Sequence, residues 1–401
     1  MTSRAAPTPW RQDASVIGLI GLAHAISHFS QLLLPVLFPW LKDAFGVSYA
    51  ELGFLMTVFF VVSCAVQTLS GFWVDRFGPR PVLYLGLSLI AVACLGFASS
   101  TSYAMLMAWV VVAGAGNGVF HPVDYTLINR KVSGPRLGHA YSVHGITGNL
   151  GWAVAPTLLA PLAMHQSWRV ALTAAAVLVL VVLSICLVWG KHLSLERPVA
   201  DDAVTQRKGQ GGGTLAFLRL PAVWMGFVFF FVFAAALSVV QAFAPQAARQ
   251  LHAVPLDLVA VCLTAYMVAS ASGMVVGGFL ARDPDQCERV VGAGFAVAAL
   301  ISLVLGLSAP PAWAVPVLFA CMGFAAGFAG PSRDLLIKKS TPASASGRVY
   351  GVVYSGLDIG QAVAPLFFGW LMDHGAWSAV FVGLALVQVT LVVIALRAAR
   401  R

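Results

Sequence analysis

The chain has 401 residues, of which 59% are hydrophobic and 10% are charged, and its formal net charge is +9. An average soluble domain is roughly 25% charged, so this composition excludes a water-soluble protein and predicts one dissolved in lipid. The basic residues lie in short clusters between apolar runs, without the interleaved aromatic side chains of a nucleic-acid-binding face, which excludes a nucleic-acid partner.

Apolar stretches recur along the whole chain. Each is long enough to cross a hydrocarbon core of about 30 Å as a helix. They lie near residues 15–40, 50–74, 81–99, 103–128, 138–162, 168–190, 221–245, 256–281, 288–308, 312–337, 347–371 and 375–397. The sequence therefore predicts an all-α, multi-pass membrane protein with twelve transmembrane helices and a lipid bilayer as its surroundings.

The distribution of Lys and Arg indicates the orientation. With a cytoplasmic N-terminus, 20 of the 24 basic residues lie on the cytoplasmic side, and Lys42, Arg169 and Arg249 lie on the other side. Cytoplasmic loops of membrane proteins are enriched in Lys and Arg, so both termini are predicted to be cytoplasmic. We expect the protein in the cell's inner (plasma) membrane.

In the first span, His24, His28 and Gln31 follow one another at helical spacing, so they share one helix face near mid-membrane. Ionisable side chains at this depth face a cavity or a partner. Because histidine titrates near neutral pH, His24 and His28 are candidate proton carriers, and Gln31 is a candidate substrate-binding residue. The alternative is two neutral histidines hydrogen-bonded to neighbouring helices.

The second span ends in a charged turn that reads Gly71-Phe-Trp-Val-Asp75-Arg76-Phe-Gly78-Pro-Arg80. Gly71 permits close helix packing, Gly78 permits a tight turn, and Asp75 can neutralise a neighbouring helix N-terminus. The segment resembles the Gly-x-x-x-Asp-Arg-x-Gly-x-Arg signature of the major facilitator superfamily (MFS). The resemblance implies a fold of two pseudo-symmetric six-helix halves, and a latch at this loop that holds the cytoplasmic side shut in the outward-facing state.

The fourth span contains His121, Pro122 and Asp124. Pro122 should kink the helix, and Asp124 is the only carboxylate that we place in the apolar part of the N-terminal half. Asp124 is therefore the first candidate for proton coupling, together with His121. The alternative is a structural partner for an arginine of a cytoplasmic loop.

In the fifth span, His144 and Asn149 are candidate substrate-binding residues; the alternative is that they serve only helix packing. The segments Phe120-His121-Pro122 and Gly148-Asn149-Leu-Gly151 most resemble the fosmidomycin-resistance branch of the superfamily.

A polar stretch that ends in a glycine run follows the sixth span, and it divides the chain into residues 1–190, a cytoplasmic linker 191–220 and residues 221–401. The two outer segments are related by a repeat at an offset of 209 residues. The matched glycines and prolines are Gly114, Gly118, Pro122 and Pro156 with Gly323, Gly327, Pro331 and Pro365. Parallel repeats of this kind are typical of secondary transporters.

Under this repeat, Asp124 corresponds to Arg333 and Asn149 corresponds to Asp358. The family arrangement places spans 1, 4, 7 and 10 around the cavity, so Asp124 and Arg333 could meet as an inner gate. Arg333 could equally bind an anionic substrate, because its planar guanidinium suits a carboxylate or phosphonate. Asp358 and Gln361 of the eleventh span are further candidates for substrate binding.

The predicted function is secondary active transport by alternating access, coupled to protons and directed towards export of a small drug-like or organic-anion solute. Proton-coupled uptake of a small organic acid is the alternative. We expect a monomer without metal or cofactor. A membrane-embedded enzyme and a transporter-like sensor are the rival classes; the sequence has no Walker, His-Glu-x-x-His or Gly-x-Ser-x-Gly motif.

Overall fold

A computed structural model describes residues 10–195, 220–280, 286–333 and 347–398, and within these ranges the regular structure is entirely helical. The α-helices are α1 Trp10–Gln31, α2 Phe38–Phe45, α3 Tyr49–Phe77, α4 Pro79–Ser99, α5 Tyr103–Asn117, α6 Phe120–Lys131, α7 Leu137–His165, α8 Trp168–Val188, α9 Pro221–Ala242, α10 Ala244–His252, α11 Leu256–Leu280, α12 Cys287–Leu307, α13 Ala314–Phe328, α14 Gly347–Asp373 and α15 Trp377–Ala398. Residues 196–219 of the predicted linker lie outside the described ranges.

Eleven helical segments of the described chain are long and apolar enough to cross a membrane. The 29-residue helix α7 is not among them, because its histidines and Asn149 lower its mean hydropathy, although its length suffices for a crossing. With α7, the described helices make the twelve predicted crossings. The all-α fold class with twelve transmembrane helices is confirmed.

The first predicted span, 15–40, is not one continuous helix. Helix α1 ends at Gln31, and a turn of 3₁₀-helix over Pro35–Leu37 precedes α2. Because proline lacks the N–H that an α-helix needs in its interior, Pro35 occurs where a new helical segment begins. The crossing is therefore built from two helical segments.

The fourth crossing is interrupted as well. The predicted kink at Pro122 is present as a break between α5 and α6 at Gly118 and Val119. Pro122 has no N–H to donate to the carbonyl four residues earlier, which is that of Gly118. The hydroxyl of Ser70 on α3 lies 3.3 Å from this carbonyl and 3.0 Å from the carbonyl of Gln67, so its one proton is shared between the two acceptors.

Equivalent glycines of the two halves pack in equivalent ways. A Cβ atom at Gly114 would lie 2.6 Å from the carbonyl oxygen of Phe59 on α3, and one at Gly323 would collide with the carbonyl of Tyr266 on α11. Both glycines therefore allow a close backbone approach, as the small residues of the fourth and tenth spans predict.

The two ends of the bundle differ in charge. We call the end that carries Arg76, Arg80, Arg130, Lys131 and Arg136 the basic face, and the other end the opposite face. The halves contact each other mainly through two antiparallel helix pairs, α3 with α14 and α7 with α11.

Side-chain contacts between the halves run from the opposite face to the middle of the membrane. Phe38 and Phe243 have ring centroids 6.0 Å apart, and Thr57 donates to the carbonyl of Ala362 at 2.6 Å. The opposite face is therefore closed between the halves.

The signature loop lies at the basic face, where α3 ends and α4 begins. Gly78 has a φ of +84°, which suits glycine and confirms the predicted tight turn. Asp75, Arg76 and Arg80 are exposed, and Asp75 makes no hydrogen bond or ion pair with the described chain. A Cβ atom at Gly71 would meet open space, so the predicted close packing at Gly71 is wrong for this conformation.

Candidate functional site

Four histidines and one aspartate meet inside the first six-helix half. We call them the histidine cluster: His24 and His28 of α1, His121 and Asp124 of α6, and His144 of α7. The sequence predicted each of them separately, as candidates for proton coupling or substrate binding. The structure brings all five together.

Asp124 is the centre of the cluster and is fully buried. Its Oδ2 atom lies 2.9 Å from Nδ1 of His24 and 3.2 Å from Nε2 of His144, so two imidazoles from two other helices can donate to one oxygen. Its Oδ1 atom has no hydrogen-bond partner in the described chain. A buried carboxylate with one unpaired oxygen can accept a proton without breaking these hydrogen bonds.

The alternative assignment of Asp124 to an arginine of a cytoplasmic loop is wrong. The loop arginine Arg136 pairs with Asp13 at the start of α1, with 2.7 Å between Nη1 and Oδ2. Asp13 also accepts from the hydroxyl and the backbone N–H of Ser133. This pair fixes α1 to the turn before α7, while Asp124 remains with its histidines.

The imidazole rings of the cluster lie close together, and those of His24 and His144 are stacked. The centroids of His24 and His144 lie 3.5 Å apart with planes inclined by 25°, and those of His24 and His28 lie 4.5 Å apart. Positive charges at such separations repel strongly in a dry interior. A single carboxylate can balance one imidazolium, so positive charge on more than one ring of the cluster is unfavourable.

Helix α1 reaches α7 closely because α7 has glycine at the contact. A Cβ atom at Gly148 would lie 2.7 Å from Cε1 of His28, and one at Gly151 would collide with the carbonyl of Ala25. The indole of Trp152 contacts the ring of His28 with centroids 4.1 Å apart and planes inclined by 37°, and its Nε1 donates to Oε1 of Gln31 at 2.9 Å. The Gly148-Asn149-Leu-Gly151 segment therefore positions the histidine face of α1.

Gln67 of α3 joins the cluster to the second half, and the sequence reading missed it. Its Oε1 lies 2.8 Å from Nδ1 of His121, and its Nε2 donates to Oδ2 of Asp358 at 3.3 Å. Asp358 lies on α14 and is 9% exposed. The sequence feature that could have identified Gln67 is a single amide side chain within an apolar run of the second span. An unpaired polar group is unfavourable there, so this amide should have a partner.

A second polar connection next to the cluster was also missed. Asn117 at the end of α5 accepts from the hydroxyl of Ser27 at 2.8 Å and donates to the hydroxyl of Ser63 at 2.9 Å. These residues tie α1, α3 and α5 together. Asn117 is the last residue before the helix break that precedes His121 and Asp124.

The remaining predicted residues lie apart from the cluster. Asn149 donates to the carbonyl of Gly145 and to the sulfur of Met274 on α11, both at 3.0 Å, so it contacts the second half. Gln361 is buried, and its Oε1 has no hydrogen-bond partner in the described ranges. Neither residue touches the histidine cluster through a hydrogen bond.

Arg333 follows α13 and is half-buried. Its guanidinium carbon lies 4.4 Å from the ring centroid of Phe233 and 5.6 Å from that of Phe230, both on α9. The predicted ion pair with Asp124 is absent from this conformation, in which the partners of Asp124 are His24 and His144.

Two subsets of the cluster have ligand atoms within 4.8 Å of one another, as a metal ion would require: His24, His28 and His121, and His24, Asp124 and His144. His24 belongs to both subsets. In the observed arrangement, one ring nitrogen of His24 and one of His144 lie at hydrogen-bond distance from the same carboxylate oxygen of Asp124.

Comparison with known proteins supports a transport role. A sequence model of the Major Facilitator Superfamily matches residues 20–332 and, in a second match, residues 253–401. The fosmidomycin resistance protein of Escherichia coli K12 is 27% identical over 156 residues, which cover 39% of this chain and 38% of that protein. A probable sulfoacetate transporter, SauU of Cupriavidus necator, is 26% identical over 157 residues, which cover 38% of this chain and 36% of that protein.

Among solved structures, a bacterial homologue of the human lysosomal transporter Spinster, in an inward-facing and occupied conformation, superimposes with a TM-score of 0.72 at 15% identity. The match covers 98% of this chain and 96% of that one, so the two share the fold along their length. The alignments with the two sequence relatives span less than two fifths of each relative.

Proposed function

The chain belongs to the Major Facilitator Superfamily, and we propose that it exports a small organic anion across the inner membrane in exchange for protons. It is a multi-pass membrane transporter, so a small-molecule substrate and a bilayer are its partners. The two halves rock about a central site and expose it to one side at a time, as in other carriers built from parallel repeats.

The charge asymmetry supports an assignment of the basic face to the cytoplasm, with both termini on that side. Within the described ranges, the side-chain contacts between the halves lie at the opposite face and in the middle, and the signature loop is exposed at the basic face. On this assignment we infer an inward-facing state.

The observation that carries the proton-coupling proposal is the environment of Asp124. One carboxylate oxygen is held by imidazoles from α1 and α7, while the other is buried without a partner. Protonation of the free oxygen, or of either ring, changes the net charge of a fully buried site by one. An uncompensated charge is costly at a buried site. The conformation in which water reaches the cluster is therefore favoured whenever the cluster carries such a charge.

Arg333 supports an anionic substrate. Its guanidinium lies over the rings of Phe230 and Phe233 on α9, and the side chain is half-buried. Guanidinium binds carboxylate, sulfonate and phosphonate groups through parallel hydrogen bonds. One relative is named for resistance to fosmidomycin and another for transport of sulfoacetate.

In the proposed cycle, the cluster releases its proton to the cytoplasm in the inward-facing state and the anion binds near Arg333. Rocking then closes the basic face and opens the opposite face, where the anion leaves and a proton reaches Asp124. The protonated, neutralised cluster favours return. Each half thus contributes one charged residue to the exchange.

Uptake of labelled sulfoacetate and fosmidomycin into proteoliposomes with a pH gradient tests the proposal. Exchange with protons predicts that an acidic interior drives uptake, whereas co-transport with protons, the mechanism of the alternative importer, requires an acidic exterior. Asp124→Asn should abolish the response to the gradient but retain exchange of labelled for unlabelled anion. Arg333→Gln should lower both.

A matched control is Asp43→Asn, which changes an exposed carboxylate far from the cluster and should leave transport unaltered. Gradient-driven uptake that persists undiminished in Asp124→Asn would exclude Asp124 as the coupling residue. If neither anion is transported under any gradient, the anionic substrate class is wrong.

A further inference from the structure

The start of α3 and the end of α14 are joined at the opposite face by a carboxylate. Asp373, the last residue of α14, accepts from the backbone N–H of Tyr49 at 2.7 Å and from that of Ala50 at 2.8 Å. Asp373 belongs to the second half, and Tyr49 and Ala50 belong to the first. These are the most direct charged contacts between the halves in the described chain.

These two hydrogen bonds complete the N-terminus of α3. A helix begins with backbone N–H groups that have no partner within the helix. Ser48 and Glu51 form a capping box, in which each side chain accepts from the backbone N–H of the other. The N–H groups of Tyr49 and Ala50 remain, and Asp373 accepts both, so its negative charge also lies at the positive end of the helix dipole.

Close approach of the two helices at this point depends on glycine. A Cβ atom at Gly369, one turn before Asp373, would lie 2.8 Å from the carbonyl oxygen of Tyr49 and 2.9 Å from Cα of Ala50. One turn further into α3, a Cβ atom at Gly53 would lie 2.6 Å from the carbonyl oxygen of Pro365. The helix pair is therefore shaped to bring Asp373 against the N-terminus of α3.

We propose that Asp373 is the latch that holds the opposite face shut, and that it must release the N-terminus of α3 for the transporter to open outwards. The same helix pair carries Asp75 at its other end, at the C-terminus of α3, where the family resemblance implies a latch for the outward-facing state. Each helix thus carries a carboxylate at or near its C-terminal end. In this structure Asp373 is engaged and Asp75 is exposed.

The second antiparallel pair, α7 with α11, has no equivalent carboxylate. Under the 209-residue repeat the counterpart of Asp373 is Met164 of α7. The described contact of α7 with α11 towards this face is instead a hydrogen bond between the hydroxyls of Thr157 and Thr264 at 3.3 Å. Only one of the two helix pairs therefore has a charged latch. For this reason, a single substitution at Asp373 should alter opening.

The proposal rests on alternating access and is tested without any substrate. Spin labels at Thr101→Cys and Ala309→Cys, two exposed sites on the opposite face of the two halves, report the separation by pulsed electron paramagnetic resonance. The background replaces the accessible native cysteines Cys64 and Cys321. In Asp373→Ala, the ratio of open to closed opposite-face populations should rise about 2–5-fold, as expected for loss of a carboxylate at a helix N-terminus.

Asp373→Asn should give a smaller shift in the same direction, since an amide oxygen can still accept one N–H. The matched control is Asp257→Asn, which removes an exposed carboxylate in the first turn of α11 on the same face. It should leave the distances unchanged. A melting temperature close to that of the parent protein shows that each variant is folded.

Unchanged distance distributions in both folded Asp373 variants, or an equal shift in Asp257→Asn, would overturn the latch. Failure of sulfoacetate transport would leave this test untouched, because it measures populations of the protein alone. Conversely, a failed latch would leave the coupling experiment on Asp124 intact. The two proposals can therefore fail separately.

Discussion

Replacing Gln67 by leucine removes the hydrogen bonds that connect the histidine cluster to the second half. The change deletes the 2.8 Å contact with His121 and the 3.3 Å contact with Asp358, and leaves the Asp358 carboxylate without this donor. Hydrogen bonds between transmembrane helices contribute about 0.6 kcal/mol on average and up to ~1.7 kcal/mol. Because one partner is a carboxylate, we expect the variant to lose about 1–2 kcal/mol of stability.

The assay is unfolding of the purified protein in mixed micelles with increasing sodium dodecyl sulfate, applied to Gln67→Leu, Asp358→Leu and the double variant. The double-mutant cycle should give a coupling free energy of about 0.5–1 kcal/mol between the two residues. The matched control is Thr68→Val, since the hydroxyl of Thr68 donates only to the carbonyl of Cys64 in its own helix. Coupling indistinguishable from zero between Gln67 and Asp358 would refute the inter-half link.

Three further substitutions test how the cluster is held. Gly148→Leu should lower the melting temperature and gradient-driven uptake together, because its Cβ would lie 2.7 Å from His28 and overpacking costs about 1–3 kcal/mol. Asn117→Leu deletes three hydrogen bonds to serines of neighbouring helices and should cost about 2 kcal/mol by unfolding in mixed micelles. Ser70→Ala removes one hydroxyl that lies 3.3 Å from the Gly118 carbonyl and 3.0 Å from the Gln67 carbonyl, and it should cost only about 0.6 kcal/mol; a loss equal to that of Asn117→Leu would contradict this expectation.

The sequence predicted the helices because hydropathy is a local property. Each crossing is also an apolar run long enough to span the membrane, which makes it easy to recognise. The prediction failed where a crossing is built from two segments, as at Pro35, since hydropathy continues through a turn that lies in the membrane. At Pro122 the kink was foreseen but its location was not. Proline disrupts the bond to the residue four positions earlier, so the break appears at Gly118.

Members of the site were recognised because an ionisable residue at membrane depth is costly and therefore conspicuous. The pairing of these residues was not predicted, because the tertiary structure determines which helices face each other. The sequence offered Arg333 as a partner for Asp124, yet the structure places His24 and His144 there. Gln67 was overlooked because a neutral amide is a weaker sequence signal than a charge, although it connects the histidine cluster to Asp358 of the second half.

Asp373 shows a different limit. In the sequence it is an ordinary acidic residue at the end of a span, and its role depends on backbone N–H groups of a helix more than 300 residues earlier. No side-chain pattern in Tyr49 or Ala50 signals this contact, because the donors are main-chain atoms that every residue except proline possesses.

Proton movement is measured most directly with a pH-sensitive dye trapped inside proteoliposomes that start without a pH gradient. Addition of sulfoacetate outside should make the lumen more alkaline as the anion enters and protons leave. The rate of proton loss should equal that of anion entry, since the cluster contains one carboxylate, and Asp124→Asn should abolish the pH change. Sulfoacetate entry without any pH change in the unmodified protein, or a full change in Asp124→Asn, would contradict proton exchange at the histidine cluster.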